Sequence, residues 1–235
     1  MTQQIRMRKA VVLLSGGLDS ITALEIARSQ GFEIHTLTLS YGQRHKVELE
    51  AVGRILKRHP VQSHRQVELD LRIFGGSALT SEIEVPKTAS LDEISPEIPV
   101  TYVPARNTIF LSFALGLAET LGAYNIFIGA NQLDALHYPD CKEEYLQAFA
   151  KMAQLATAMG AEKKGEIQIH APLIHMNKAQ IIQKGMSLGI DYSLTMSCYD
   201  PDSSGLACGQ CGACHLRIEG FRSLNLKDPA KYRAI

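Results

Sequence analysis

Five apolar residues at 10–14 (AVVLL) break at Ser15-Gly16-Gly17-Leu18-Asp19-Ser20, after which Ile21, Leu24 and Ala27 recur at helical spacing until Gly31. Such a pattern describes a strand buried on both faces that passes through a glycine turn directly into a helix. Residues 34–39 are again β-rich, so the first forty residues form a βαβ unit. Its crossover joins parallel strands, and this commits the chain to an α/β fold with helices on both faces of an open sheet.

Ligands of open α/β sheets bind at the carboxyl ends of strands and the amino ends of the helices that follow, where this turn lies. Gly16 and Gly17 permit positive φ and close approach of backbone N–H groups to an anion, while Ser15 and Ser20 add hydroxyls. The expected cradle runs over Leu14, Ser15, Gly16, Gly17, Leu18, Asp19 and Ser20, with the amides of Ile21, Thr22 and Ala23 extending it. Asp19 would repel a bare phosphate, so a Mg²⁺ between them is implied. No Lys-Ser/Thr follows the glycines, as a Walker loop requires, and there is no third glycine, as a dinucleotide fingerprint requires.

Further along, 45–58 reads as a charged surface helix, 67–71 as a strand, 107–121 as a helix stopped by Gly122, and 124–128 as a buried strand. A helix through Tyr145, Phe149 and Ala156, a short strand at 167–171 and a helix at 178–188 closed by Gly189 complete a doubly wound parallel sheet. Residues 74–99, with Pro86, Pro96 and Pro99, are long for a passive loop and are expected to form a mobile cover or an insertion.

Four of the five cysteines, Cys198, Cys208, Cys211 and Cys214, fall within seventeen residues, and Gly205, Gly209 and Gly212 supply turns between them. Four thiolates close a tetrahedral Zn²⁺ shell with no open position, which implies a structural site, a small C-terminal zinc knuckle. An iron–sulfur cluster, a redox dithiol, or His215 in place of one thiolate are the alternatives. Cys141 stands apart. Expected boundaries are an α/β domain over 1–195 and a zinc-binding segment over 196–235.

Twenty-four basic residues balance twenty-four acidic ones, which disfavours a dominant nucleic-acid-binding role and favours a small-molecule substrate. The longest apolar stretch, near 109–118, is well short of the ~18 residues that span a bilayer. The polar, basic start has no signal-like apolar region, and the expected compartment is the cytoplasm.

The Ser15 loop resembles the signature of N-type ATP pyrophosphatases, of the adenine nucleotide α-hydrolase-like fold. Together with Tyr41-Gly42-Gln43-Arg44-His45, Val103-Pro104-Ala105-Arg106-Asn107, Tyr138-Pro139-Asp140-Cys141, Thr195-Met196-Ser197-Cys198-Tyr199 and the cysteine knuckle, it resembles the 7-cyano-7-deazaguanine synthase family over about residues 9–221. The resemblance implies ATP with Mg²⁺, 7-carboxy-7-deazaguanine and ammonia as substrates, a structural Zn²⁺ and usually a homodimer. It implies catalytic roles for Ser15, Asp19, Ser20 and Arg106, nucleotide contacts from Arg44, His45, Arg106 and Asn107, and substrate contacts from Asp134, Tyr138, Asp140 and Lys142. The bland alternatives are a solvated helix start for Arg44 and His45, a surface ion pair for Arg106, and turn-forming or capping roles for Asp134 and Asp140.

One string departs from the family pattern: Leu136-His137 stands where a Ser-Gly pair is usual, and Lys142 where an arginine is usual. If that turn lined the substrate pocket, the enzyme could stop at an amide or use a different amine. A tRNA-modifying pyrophosphatase and a non-catalytic zinc-knuckle module are more distant alternatives.

Overall fold

A computed structural model describes residues 8–42, 47–87, 98–163 and 165–233. Strand β1 (Lys9–Leu13) lies at the centre of a five-stranded parallel sheet, between β2 (Glu33–Ser40) and β4 (Asn125–Phe127), with β3 (Ser63–Glu68) and β5 (Gln168–His170) at the edges. The order β3-β2-β1-β4-β5 reverses direction at β1, so the crevice beside its carboxyl end is the topological switch point.

Alternation along β1 divides the core in two. Ala10, Val12 and Leu14 pack with Leu18, Ile21 and Leu24 of helix α1 (Leu18–Ser29) and with Ile181 and Ile182 of α7 (Lys178–Ser187). Val11 and Leu13 pack on the other face with Leu111, Ala114 and Ala118 of α3 (Arg106–Leu121) and Phe149 of α5 (Glu143–Ala156). An apolar run without alternation is therefore what this position requires, since both of its faces are covered.

The remaining helices are α2 (Val47–Arg58), α4 (Gln132–His137), the short α6 (Ala158–Ala161) and α8 (Gly212–Arg222). Two departures from the sequence expectations have physical causes. Strand β3 covers 63–68 rather than 67–71: as an edge strand it has a polar outer face, so Ser63, His64, Arg65 and Gln66 carry no apolar signal. Leu69 and Leu71 leave the sheet for a 3₁₀ turn capped by Asp70. Helix α4 went unread because it is only six residues long; a capping box between Asn131 and Asp134 defines its start.

The described part of the 74–99 segment is packed rather than loose. Ala78, Leu79 and Val85 are buried in a third apolar cluster with Tyr41, Val103, Met196 and the four clustered cysteines, and Lys87 bridges Cys211 in antiparallel fashion.

The chain after 190 is anchored by Arg217 of α8, whose guanidinium is 3% exposed. Its Nε donates to Asp228 at 2.9 and 3.1 Å, and its terminal nitrogens to Thr195 Oγ1 at 2.6 Å and the Tyr192 carbonyl at 2.8 Å. Arg217→Ala would leave Asp228 buried without its counter-charge and should cost about 3–5 kcal/mol. Urea denaturation of the variant checks this, and an unchanged midpoint would show that the pair contributes nothing.

Candidate active site and metal centre

At the end of β1 the chain turns through Gly16, with φ of +87°. A Cβ on this residue would lie 2.5 Å from the carbonyl oxygen of Glu48, so both the conformation and the space demand glycine. Helix α1 then starts at Leu18 with no side-chain cap, which leaves the N–H groups of its first turn aimed at the crevice. The hydroxyl of Ser20 donates to the Gly17 carbonyl at 3.0 Å and accepts from the Ser15 N–H at 3.2 Å, bracing the loop from inside.

The residues expected to extend the cradle, Ile21, Thr22 and Ala23, lie within α1. The Ile21 N–H already bonds the Gly17 carbonyl at 3.3 Å, and Ile21 and Ala23 are fully buried in the core. The Thr22 hydroxyl donates to the Leu18 carbonyl at 2.7 Å and pairs with the Tyr192 hydroxyl at 2.8 Å. Helix hydrogen bonding begins at residue 21, so the available amides are those of 18–20.

Asp19 faces the crevice and is held from two other elements. Lys178 Nζ, at the first position of α7, meets both of its oxygens at 2.8 Å, and Asn131 Nδ2 donates to Oδ2 at 3.1 Å. Asp134 stands beside this cluster, and its pKa is pushed up to about 6 by burial and by the Asp19 charge, with Lys178 opposing. Gly129, just past β4, lets that strand come close to α1: a Cβ there would be 3.1 Å from the Asp19 and Ser20 backbone.

These groups form one half of a cavity of about 250 Å³. Tyr41, Glu48, Arg106 and Tyr199 line the other half, with Asp134 between Asp19 and Arg106, over an apolar floor that includes Leu37, Leu39 and Ile128. The Arg106 guanidinium bonds the Tyr41 hydroxyl, and Arg106 stays charged because the surrounding Tyr41, Cys141 and Tyr199 outweigh the effect of burial. Burial raises Glu48 to about 7 against the pull of Arg106. Burial and Glu48 together lift Tyr41 to about 12, and Tyr138 and burial lift Tyr199 well above the phenol range.

The cysteines meet at one point. The sulfurs of Cys198, Cys208, Cys211 and Cys214 all lie within 4.8 Å of one another and are buried. Cys208 and Cys214 sulfurs are 3.9 Å apart, those of Cys198 and Cys211 4.0 Å. Four sulfurs each ~2.3 Å from a central Zn²⁺ would stand about 3.8 Å apart, so the donor set suits a tetrahedral metal. Backbone N–H groups of Cys208 and Asp200 point at Cys198 Sγ, and those of Gln210 and Cys211 at Cys208 Sγ, at 3.2–3.4 Å. Such donors stabilise thiolates. His215 is not a member of this group.

Residues 9–225 match the family described as "Queuosine biosynthesis protein QueC". The chain belongs to that family. It is 57% identical over 228 residues to the 7-cyano-7-deazaguanine synthase of Desulfatibacillum aliphaticivorans, covering 97% of this chain and 98% of that one. It is 58% identical to the corresponding synthase of Geobacter sulfurreducens, covering 96% and 93%. Among solved structures it is similar in fold to an NMN synthetase from Francisella tularensis, with a TM-score of 0.50 at 14% identity over 96% of this chain and 81% of that chain.

In this QueC-family chain the cavity gathers Leu14, Ser15, Gly17, Leu18, Asp19, Ser20, Arg106, Asn107 and Asp134 from the expected residues. Arg44 and His45 lie outside the described residues. Asp140 is buried, and its Oδ2 accepts the Asn107 N–H at 2.9 Å, which caps α3 just behind Arg106. Tyr138 stacks on Tyr102, shares a hydrogen bond with Thr101 at 3.3 Å and bonds the hydroxyl of Tyr199, which lines the cavity. Lys142 is exposed where the chain enters α5 and is not among the residues lining the cavity. Leu136 is 69% exposed and fills no pocket volume.

Lys178, Asn131 and Glu48 were missed by sequence reasoning. A signal existed for Lys178: a cation in the first turn of a helix opposes the helix dipole and asks for a separate reason. Because Lys178 holds Asp134 down, Lys178→Met should move the Asp134 titration above about 6. Carboxyl-carbon NMR of the ligand-free protein measures it, and a lower midpoint would contradict the proposed electrostatics.

Proposed function

We propose that this chain makes 7-cyano-7-deazaguanine by activating the carboxylate of 7-carboxy-7-deazaguanine with ATP and treating it with ammonia, first to the amide and then to the nitrile. The observation that carries this is a single cavity in which the anion-binding start of α1 faces Arg106, Glu48, Tyr41 and Tyr199. An acyl adenylate needs both halves: amides for phosphate, and polar groups around the carbon that reacts.

The amides of residues 18–20, with Ser15 and Ser20, hold the outer phosphates of ATP and so present the α-phosphorus to the carboxylate. Arg106 steadies the charge that develops there. Asp19 and Asp134 are hard oxygen donors side by side and would hold a Mg²⁺, which supplies charge neutralisation for the pyrophosphate. Lys178 replaces part of that charge before ligands arrive. Asp134 also accepts hydrogen bonds from the deazaguanine edge, while Tyr138 and Asp140 act from behind by positioning Tyr199 and α3. The same carbon is activated twice, so one site serves both steps.

The exposure of Leu136 supports the nitrile reading over an amide-stopping specialist. Zn²⁺ in the cysteine tetrad is structural, in a segment that begins near residue 196. No helix among the described residues is long and apolar enough to cross a membrane, and five free cysteines suit a reducing cytoplasm. A homodimer belongs to the same proposal; the outer edge of β5 and the 85% exposed Leu155 are available for contact.

Incubation with ATP, Mg²⁺, ammonia and 7-carboxy-7-deazaguanine should yield AMP, pyrophosphate and the nitrile by mass. ADP with inorganic phosphate would sink the assignment. Asp19→Ala should abolish turnover without changing zinc content. Metal analysis should find about one Zn²⁺ per chain, and Cys208→Ser should lower both metal content and melting temperature; iron with a visible absorption band would point instead to a cluster.

A further inference from the structure

Ammonia exists mainly as ammonium near neutral pH, and ammonium has no lone pair with which to attack an acyl carbon. Forming the amide from an acyl adenylate releases two protons: one from ammonium before attack, and one from the nitrogen after the carbon–nitrogen bond forms. Both must be accepted where the carbon reacts, by a group that is deprotonated when needed and able to discharge to water.

The cavity offers few candidates. Arg106 and Lys178 are cations. Tyr41 and Tyr199 are held protonated far above neutral. The Cys141 thiol is also pushed up by burial and the nearby carboxylates of Asp134 and Asp140, and it accepts from Asn107 Nδ2 at 3.0 Å. Asp19 is paired with Lys178, and Asp134 is tied to the Asn131 N–H at 3.1 Å on the phosphate side. No histidine lines the cavity among the described residues. Glu48 remains. It sits in the first turn of α2, opposite the phosphate loop, in the half of the cavity shared with Tyr41 and Arg106. The cavity it lines opens to solvent, which gives a proton a way out between the two transfers.

Building on the adenylation reading, we infer that Glu48 is the proton acceptor for the incoming nitrogen. Its carboxylate takes a proton from ammonium, and the electron pair stays on nitrogen. The nitrogen attacks the acyl carbon, the bond from that carbon to the AMP oxygen breaks, and AMP leaves with the pair. Glu48, having passed the first proton to water, takes the second and leaves a neutral amide. In the nitrile step both N–H protons of the amide leave to the same carboxylate in turn: the first as the amide oxygen is joined to the second AMP, the other as the carbon–oxygen bond breaks and that AMP departs with its electron pair. The adjacent Arg106 keeps Glu48 ionised often enough to act, while burial keeps it basic enough to accept.

The test separates the two half-reactions. Exchange of labelled pyrophosphate into ATP, dependent on 7-carboxy-7-deazaguanine and run without ammonia, reports adenylation alone. Glu48→Gln should keep this exchange close to the unsubstituted level, whereas single-turnover amide formation with ammonium should fall by about 100-fold or more. Hydroxylamine, largely unprotonated at neutral pH, should react with a smaller loss in the same variant. Glu48→Asp should recover part of the ammonium reaction. Retention of full amide formation in Glu48→Gln would overturn the inference. So would equal loss from exchange and amide formation in both variants, because Glu48 would then serve nucleotide binding or folding. Absence of acid-dependent exchange in the unsubstituted protein would overturn the adenylation reading itself, and the role of Glu48 with it.

Discussion

Gly16 is the point at which four parts of the molecule touch, and its missing side chain is what lets them do so. Its positive φ turns β1 into α1, and its Cα lies against the Glu48 carbonyl and the side chains of Ala51 and Val52 in α2. Its own carbonyl accepts the Met196 N–H at 3.0 Å, which draws in the segment leading to Cys198. A larger residue would push α2 away from the phosphate loop and carry Glu48 out of the cavity. The turn that exposes amides to an anion is thus the same turn that sets the opposite wall.

The electrostatics follow from that convergence. Asp19, Asp134 and Glu48 come from three separate elements into a partly dry space, where like charges and desolvation would expel them unless cations intervened. Lys178 and Arg106 are those cations, and each is delivered by the start of a helix: α7 capped by Asn177, and α3 capped from a distance by Asp140. Both stand where a helix dipole disfavours positive charge. Their placement therefore costs stability, and it makes sense only because anions, resident or bound, lie in front of them.

Much of the fold was legible because β1 and α1 carry strong periodic signals and a turn with specific backbone demands. The phosphate loop and the cysteine tetrad were legible for a related reason, since each is a local string whose spacing is set by geometry. The rest of the cavity was not. Glu48, Asn131 and Lys178 are single polar residues at helix starts, separated by up to 130 positions, and nothing local distinguishes them from solvated charges. Asp140 illustrates the converse: it was visible in a motif, but its bond to the Asn107 N–H belongs to tertiary structure. Leu136 stood out against a family pattern, yet its side chain is exposed and does not line the cavity, whereas the half-buried His137 beside it keeps a buried Nδ1 without a partner.

The cysteine tetrad is more than a staple for the segment after Thr195. Cys198 is flanked by Ser197 and Tyr199, both of which line the cavity, and Met196 lies one residue further back on Gly16. The tetrad fixes the Cys198 backbone from one side through the N–H groups aimed at its sulfurs, while Arg217 fixes Thr195 from the other. Between these two anchors the 195–199 segment has little freedom, so the Tyr199 phenol is held beside Tyr138 and Arg106 without help from a ligand. Four buried cysteines outside the cavity can in this way set the shape of its wall, and a metal closing the tetrad would stiffen the backbone that carries its neighbours.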